Sequence, residues 1–293
     1  MKVARCPGSC GELIQGIILG SEKLISYPIN CYSYARILRG ARDNELLYPK
    51  AYSALEKVFE YFGEDIKISK ELKVEIKSEI PVGKGMASST ADLGATILAA
   101  TKYLKKDISE QEIARICLSI EPTDSTLFSA ITLFDHLDGK YIKKYSKNMS
   151  CKVLIMEGID MVDTVEFRKV DKKSILKKNT AKITQALKNI ELGIWTDDLR
   201  KIGQGAILSA LANEDILKKP GLSIIIERAL KLGAYGVNIA HSGSVVGIIY
   251  DDRYFDKEAF LQNIRTESFM NSYINIGEYE TVKGGPEIIE MEG

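Results

Sequence analysis

The 293-residue sequence predicts an α+β protein built as two lobes. Three observations carry that expectation. Short β-rich segments crowd the first forty residues and are followed by helical periodicities, not by a regular strand–helix alternation. The same kind of order restarts near residue 150 with CKVLIME. And a chain with 45% hydrophobic and 27% charged residues has ample apolar surface for a large core, at a length where a domain of ~100–200 residues fits once or twice. The expected units are residues 1–150 and 151–293.

Segments 2–6, 23–27 and 31–38 (CYSYARIL) are rich in β-branched and aromatic residues and read as strands. Residues 50–62 place Leu55, Val58, Phe59 and Phe62 at helical spacing, and Gly63 stops them. In LKVEIKSEIP, Leu72, Val74 and Ile76 alternate with Lys73, Glu75 and Lys77, the pattern of a half-buried strand ended by Pro81. The next helix, in ASSTADLGATILAATKYLKK, carries Ala91, Ala95, Leu98 and Ala99 on one face. Ser109 and Glu112 form a capping box for a helix over 109–120 that Pro122 cannot continue. A hairpin turning at Asp138-Gly139 follows. The lysine-rich 140–147 is most simply a solvated surface. In the second half, CKVLIME is a strand and TAKITQALKNIELG a helix ending at glycine. Helices over 197–212 and 222–232, two strands around the Ser-Gly turn of AHSGS, a helix at 256–265 and short strands complete the chain.

Forty Lys+Arg balance forty Asp+Glu. That excludes a protein relying on the general electrostatic pull of nucleic acid or an anionic membrane. Lys2 and Arg5 precede no apolar stretch of signal-peptide length, and no run of the ~18 apolar residues that span a bilayer occurs, so a cytoplasmic location is expected. The five cysteines are scattered and odd in number, unlike a disulfide framework, and Cys6 and Cys10 lack the second pair a zinc site needs. Of the two histidines, His241 lies beside a flexible turn and reads first as a loop histidine bonded to backbone.

The most informative segment is Pro81–Ala91, PVGKGMASSTA, between a strand and a helix. Gly83 and Gly85 permit conformations and close approaches that a side chain forbids. The amides of the following helix start favour an anion, and Ser88, Ser89 and Thr90 add hydroxyls for phosphate oxygens or Mg²⁺. No G-x-x-x-x-G-K-[ST] string exists, which removes a Walker loop. A dinucleotide fingerprint is weak, because its third glycine is Ser88 and its strand alternates apolar and charged residues. A triphosphate loop of another kinase class and a plain glycine turn remain. Glu121-Pro122-Thr123-Asp124 supplies two acids in a loop: one suits Mg²⁺, the other an acceptor hydroxyl. The plainer alternative has Asp124 capping a turn at Ser125–Leu127 and Glu121 solvated.

Together these residues resemble the GHMP small-molecule kinases. That family carries an early Pro-Gly motif, a central P-x-x-x-G-[LM]-x-S-S-[AST] loop and a late glycine motif, matched here by Cys6–Ser9, Pro81–Thr90 and Ala240–Ser244. CPGSCGELIQG, EPTDSTLF and AHSGS are similar to the L-threonine kinases of adenosylcobalamin synthesis. The resemblance implies an N-terminal lobe like a ribosomal small-subunit protein, with a left-handed βαβ crossover, and a ferredoxin-like C-terminal lobe. ATP and substrate would share the cleft between them. It implies phosphoryl transfer from ATP to L-threonine. Pro81, Val82, Gly83, Lys84, Gly85, Met86, Ala87, Ser88, Ser89, Thr90 and Ala91 would hold the ATP phosphates. Ser89 and Glu121 would ligate Mg²⁺, and Asp124 would orient or deprotonate the hydroxyl. Cys10, Glu12, Ser242 and Gly243 would face the substrate, with Glu12 on its ammonium. Ser9 stands where mevalonate-type members have a lysine, and the late motif keeps only Gly243 and Gly247. The alternatives are a kinase of another small hydroxyl compound such as homoserine, or a non-catalytic nucleotide-binding protein. A homodimer is allowed and not required.

Overall fold

A computed structural model describes residues 2–160 and 172–290. Its frame is one long antiparallel hairpin, β1 (Lys2–Ile18) and β2 (Ser21–Arg39), turning at Leu19 and Gly20, both with positive φ. The sequence suggested three shorter strands here, because Pro7, Gly8, Gly11 and Pro28 look like breaks. The strands run through them with register shifts between Pro7 and Ser9, Ser9 and Glu12, and Glu12 and Ile14. Bulges absorb residues that cannot serve a regular ladder, and they bend the strand where they occur.

The remaining strands are β3 (Leu72–Ser78), β4 (Thr132–Phe134), β5 (Ile142–Lys144), β6 (Lys152–Gly158), β7 (Gly236–Ile239), β8 (Val245–Tyr250), β9 (Tyr273–Glu280) and β10 (Glu287–Glu290). They form one sheet in the order β5-β4-β2-β1-β7-β8-β6-β9, with β3 also on β2 and β10 also on β1. One half of the hairpin is flanked by β3 and β10, the other by β4 and β7. β1 meets β7 at a single pair, Glu12 with Ile239. The strands of the first 150 residues therefore meet those of the rest at this pair, at β10 on β1 and at the bridge of Ile29 with Thr281.

The helices are α1 (Pro49–Phe62), α2 (Ile66–Ser69), α3 (Ser88–Tyr103), α4 (Glu110–Leu118), α5 (Lys173–Lys178), α6 (Thr180–Thr196), α7 (Leu199–Asn213), α8 (Leu222–Lys231) and α9 (Lys257–Ile264). Gly63 closes α1 in the left-handed conformation, and the Ser109–Glu112 capping box starts α4 as expected. α6 runs on past Gly193, which instead lets α7 approach, since a β-carbon there would lie 2.7 Å from Ile202 N. α3 is buried on all sides: every residue from Thr90 to Thr101 except Asp92 is inside. Its small residues are what allow that depth, because bulky side chains would hold the surrounding elements off.

Two apolar clusters form the core. The first is built on the hairpin and α3 and includes Val153, Ile155, Val245 and Ile249, so it crosses residue 150. The second joins Leu154, Met156, Val246 and Ile248 to Leu222, Ile225 and Phe260. β6 and β8 are therefore buried on both faces. The lysines of 140–147 are ion-paired at the surface: Lys143 reaches Glu191, Lys144 Glu110 and Lys147 Asp197. No described helix is long and apolar enough to cross a membrane.

Gly85 and Gly243, 158 positions apart, pack backbone to backbone: a β-carbon on Gly85 would lie 2.8 Å from Gly243 Cα, and one on Gly243 would overlap Lys84 O. Gly243→Ala should therefore destabilise the protein by about 2 kcal/mol through overpacking alone. Gly20→Ala is the control, since nothing lies within 4 Å of its added carbon and only its positive φ is strained. Denaturant midpoints for the two variants decide it; equal losses would mean the contact is not tight.

Candidate active site

The loop between β3 and α3 has Gly83, Gly85 and Ala87 at φ 74°, 81° and 58°. Left-handed backbone costs an alanine about 1–2 kcal/mol, so Ala87 is held there by its surroundings. Alternation of this kind turns successive N–H groups into one concavity, an anion-binding nest. Ala87 caps α3 without a side-chain hydrogen bond, so no side chain takes the first amides of that helix. Two flanking segments hold the loop by backbone bonds. Ser9 N donates to Met86 O at 3.0 Å, and Ser244 N donates to Lys84 O at 3.0 Å. The early, central and late motifs thus converge.

The Lys84 side chain does not face this concavity. Its ammonium is buried and donates to the carbonyls of Gly158, Ile159 and Asp160 at 2.7, 3.1 and 3.3 Å. The lysine of the loop anchors it to the end of β6.

Ser89, in the first turn of α3, donates its hydroxyl to Glu121 Oε1, and Lys50 Nζ lies 2.6 Å from Glu121 Oε2. Glu121 is not solvated: α4 ends just before it and Lys50 of α1 leans across. Asp92, one turn along α3, accepts from Ser33 Oγ. Burial, then the charge of Glu121, pushes its carboxyl up to about 6. One hydroxyl and one carboxylate converging beside an amide nest suit a hard divalent cation that takes its other ligands from phosphate. Among the described residues no group of three or more His, Cys, Asp or Glu could hold a metal unaided.

Asp124 does two things at once. Its Oδ1 accepts from Thr126 N at 3.1 Å, capping the 3₁₀ turn Ser125–Leu127, while Oδ2 accepts from Ser26 Oγ at 3.0 Å. Its own N–H donates to Thr90 Oγ1 on α3. Burial, and next the negative charge of Glu12, raise its carboxyl well above the usual carboxylate range. Glu12 sits at the bulged crossing of β1 and β7, 6% exposed. The charge of Glu12 disfavours ionisation of Asp124, and a nearby cation would relieve it.

His241 is not the backbone-bonded loop histidine that the sequence suggested. Its N–H donates to Glu12 Oε2 at 2.8 Å, Nδ1 lies 3.1 Å from the same oxygen, and Nε2 lies 3.0 Å from Ser209 Oγ. A carboxylate on Nδ1 requires a proton there. Ser209 Oγ in turn accepts from Gln15 N. Both bonds to Glu12 fall on Oε2, and among the described residues Oε1 stays open.

Cys10 is not brought to this cluster. Its thiol is fully buried, bonded to Tyr27 and Asn238 and pushed up to about 12 by desolvation. Ser242 and Gly243 lie in the turn between β7 and β8, with Gly243 against the central loop. Sequence reasoning passed over Lys50, Asp92, Ser26 and Ser209. None belongs to a motif, and only the folded chain brings them to Glu121, Ser33, Asp124 and His241.

With this geometry in hand, comparisons with known proteins are informative. Residues 49–131 match the family described as GHMP kinases N terminal domain, and residues 183–263 match GHMP kinases C terminal. An L-threonine kinase of Citrobacter freundii is 36% identical over 256 residues, covering 87% of this chain and 88% of that protein. One from Salmonella typhimurium is 38% identical over 255 residues, covering 87% and 84%. A homoserine kinase of Carboxydothermus hydrogenoformans is 25% identical, covering 67% and 64%. Among solved structures, homoserine kinase from Cytophaga hutchinsonii superposes with a TM-score of 0.71 at 18% identity, covering 99% of this chain and 97% of that one. The Methanococcus jannaschii mevalonate kinase gives 0.69 at 18%, covering 96% and 98%. The two family matches and the L-threonine kinases similar over most of the chain show that this chain belongs to the GHMP kinase family.

Proposed function

We propose that the protein is an L-threonine kinase, which transfers the γ-phosphoryl group of ATP to the threonine hydroxyl and releases ADP and O-phospho-L-threonine. The observation that carries this reading is the buried pair Glu12 and Asp124 beside the nest at 83–90: one acid for an ammonium, one for a hydroxyl. The two L-threonine kinases similar over most of their length support the acceptor. Formation of the linker of adenosylcobalamin, in the cytoplasm where ATP is abundant, is the setting that fits. We take the lobes to divide near residue 150, with both substrates at their junction.

The amides of the loop and of the first turn of α3 would hold the triphosphate. Ser89 and Glu121 would hold Mg²⁺, which neutralises charge on the β- and γ-phosphates when bound. Lys50, now paired with Glu121, is free to turn to a phosphate oxygen once that carboxylate is otherwise engaged. Glu12 Oε1 takes the threonine ammonium, and Asp124 Oδ2, held by Ser26, faces the hydroxyl. The hydroxyl oxygen bonds to the γ-phosphorus as the bond to the bridging oxygen of ADP breaks, and Asp124 receives the proton. Such transfers rest mainly on positioning and charge neutralisation.

Ser89→Ala and Glu121→Gln should each lower kcat by about 10²-fold or more; wild-type turnover in either would show that the site is misplaced. In a panel of threonine, serine, homoserine and mevalonate, threonine should have the highest kcat/KM, and equal or better use of homoserine would sink the acceptor assignment. Because the folded carboxyl of Asp124 is raised, its basic form fills only as pH climbs above the ordinary carboxylate range. The acid limb of kcat/KM should lie correspondingly high. That of kcat should lie lower, because a bound ammonium between Glu12 and Asp124 favours the ionised acid. Asp124→Asn should abolish the limb; a small loss with an unchanged pH profile would leave Asp124 an orienting group only.

A further inference from the structure

At and just after the end of α7, two buried polar groups are short of hydrogen-bond partners among the described residues. Lys219 follows α7 in the turn 214–221 and is 3% exposed. Of the three N–H donors on its ammonium, one reaches Leu217 O at 3.2 Å, and no other hydrogen bond is made among the described residues. Asn213, the last residue of α7, is 4% exposed, and its Nδ2 has no hydrogen-bond partner among the described residues. The turn is otherwise well tied: Leu217 N donates to Asn213 O, and Lys219 N donates to Glu214 Oε1. Leaving buried donors open costs stability, so a ligand acceptor is the economical explanation.

The place of these donors identifies that acceptor. Asn213 is one helical turn from Ser209, whose hydroxyl holds His241 against Glu12. The charge of Glu12 reaches both Asp124 and Lys219. Burial pushes the Lys219 ammonium down to about 8 against the charges of Glu214 and Glu12, the mark of a cation short of a close anion. An α-amino acid with a β-hydroxyl presents hydroxyl, ammonium and carboxylate around two adjacent carbons. Asp124, Glu12 and Lys219 supply one complement to each.

Resting on the reading of the protein as an L-threonine kinase, we propose that Lys219 and Asn213 form the subsite for the α-carboxylate of the substrate, with the Lys219 ammonium as its counter-ion and Asn213 Nδ2 as a second donor.

The test compares L-threonine with L-threoninamide, which keeps the amine and hydroxyl and loses the charge, in the full-length enzyme. Wild type should prefer threonine by about 10²-fold or more in kcat/KM, as expected where a buried charge is left unpaired by the analogue. In Lys219→Met the threonine KM should rise by about 10²-fold, with the KM for ATP unchanged, so that the preference nearly disappears. Asn213→Leu should raise the threonine KM by about 10-fold while the melting temperature of the ligand-free protein holds or rises, since an unpaired buried donor has been removed. A folded Lys219→Met enzyme that keeps the preference, or that loses both substrates equally, overturns the subsite alone. A fall in melting temperature for Asn213→Leu shows that its amide has a structural partner and removes it from the subsite. Wild-type enzyme inactive on threonine overturns the proposed function and the subsite with it.

Discussion

Everything at the site depends on one seam, where the glycine loop is held between backbone groups from both ends of the chain. Ser9 N reaches Met86 O, Ser244 N reaches Lys84 O, and Gly85 lies on Gly243 with no side chain between. Peptide groups at this distance form a joint that side chains could not: short, dry and without rotamer freedom. It holds the left-handed backbone of residues 83, 85 and 87, and that backbone makes the concavity. The ammonium of Lys84 adds a third tie, to the carbonyls that end β6. The lysine of the loop thus stiffens it and does not face its concavity.

Around that seam, charge is arranged on two sides. Toward the nest lie Ser89, Glu121, Lys50 and Asp92, a cluster whose negative groups are partly compensated by a half-exposed lysine. Toward the interior lie Asp124, Glu12 and Lys219, all buried, with the histidine at 241 fixing one carboxylate by two bonds to a single oxygen. The outer cluster is accessible and exchangeable, as suits nucleotide and cation. The inner one is pre-oriented and underpaired, as suits a small zwitterion that supplies the missing partners. The overall charge balance of forty against forty is consistent with this: backbone amides and a helix start can meet anionic phosphate without a basic surplus.

Legibility in the sequence varied with the range of the physics involved. Local signals held: the Ser109–Glu112 box, the Gly63 stop, the alternation of 72–78 and the Asp138-Gly139 turn all reappear in the fold. Where a local signal competed with tertiary demand, the demand won. Pro7 and Pro28 did not end strands, because the hairpin takes them at bulges, and Gly193 did not end a helix, because it sits where α7 must pass. α3 looked amphipathic and is buried all round. Asp124 shows the limit most clearly, since capping a turn and facing a buried acid are compatible, and only the second depends on Glu12 being there.

By itself the sequence determined the family, and it singled out the glycine loop and the acids near it as candidates, because glycines, hydroxyls and carboxylates at short spacing carry their chemistry with them. What it could not contain is which distant residues share a dielectric. Glu12 and His241 are 229 positions apart and Asp124 lies between them in the chain, yet burial is what raises the carboxyl of Asp124, and among the described residues Lys219 and Asn213 are left short of partners. Electrostatics and desolvation act through space, so only the folded sheet, in which β1 meets β7 at Glu12 and Ile239, could decide them.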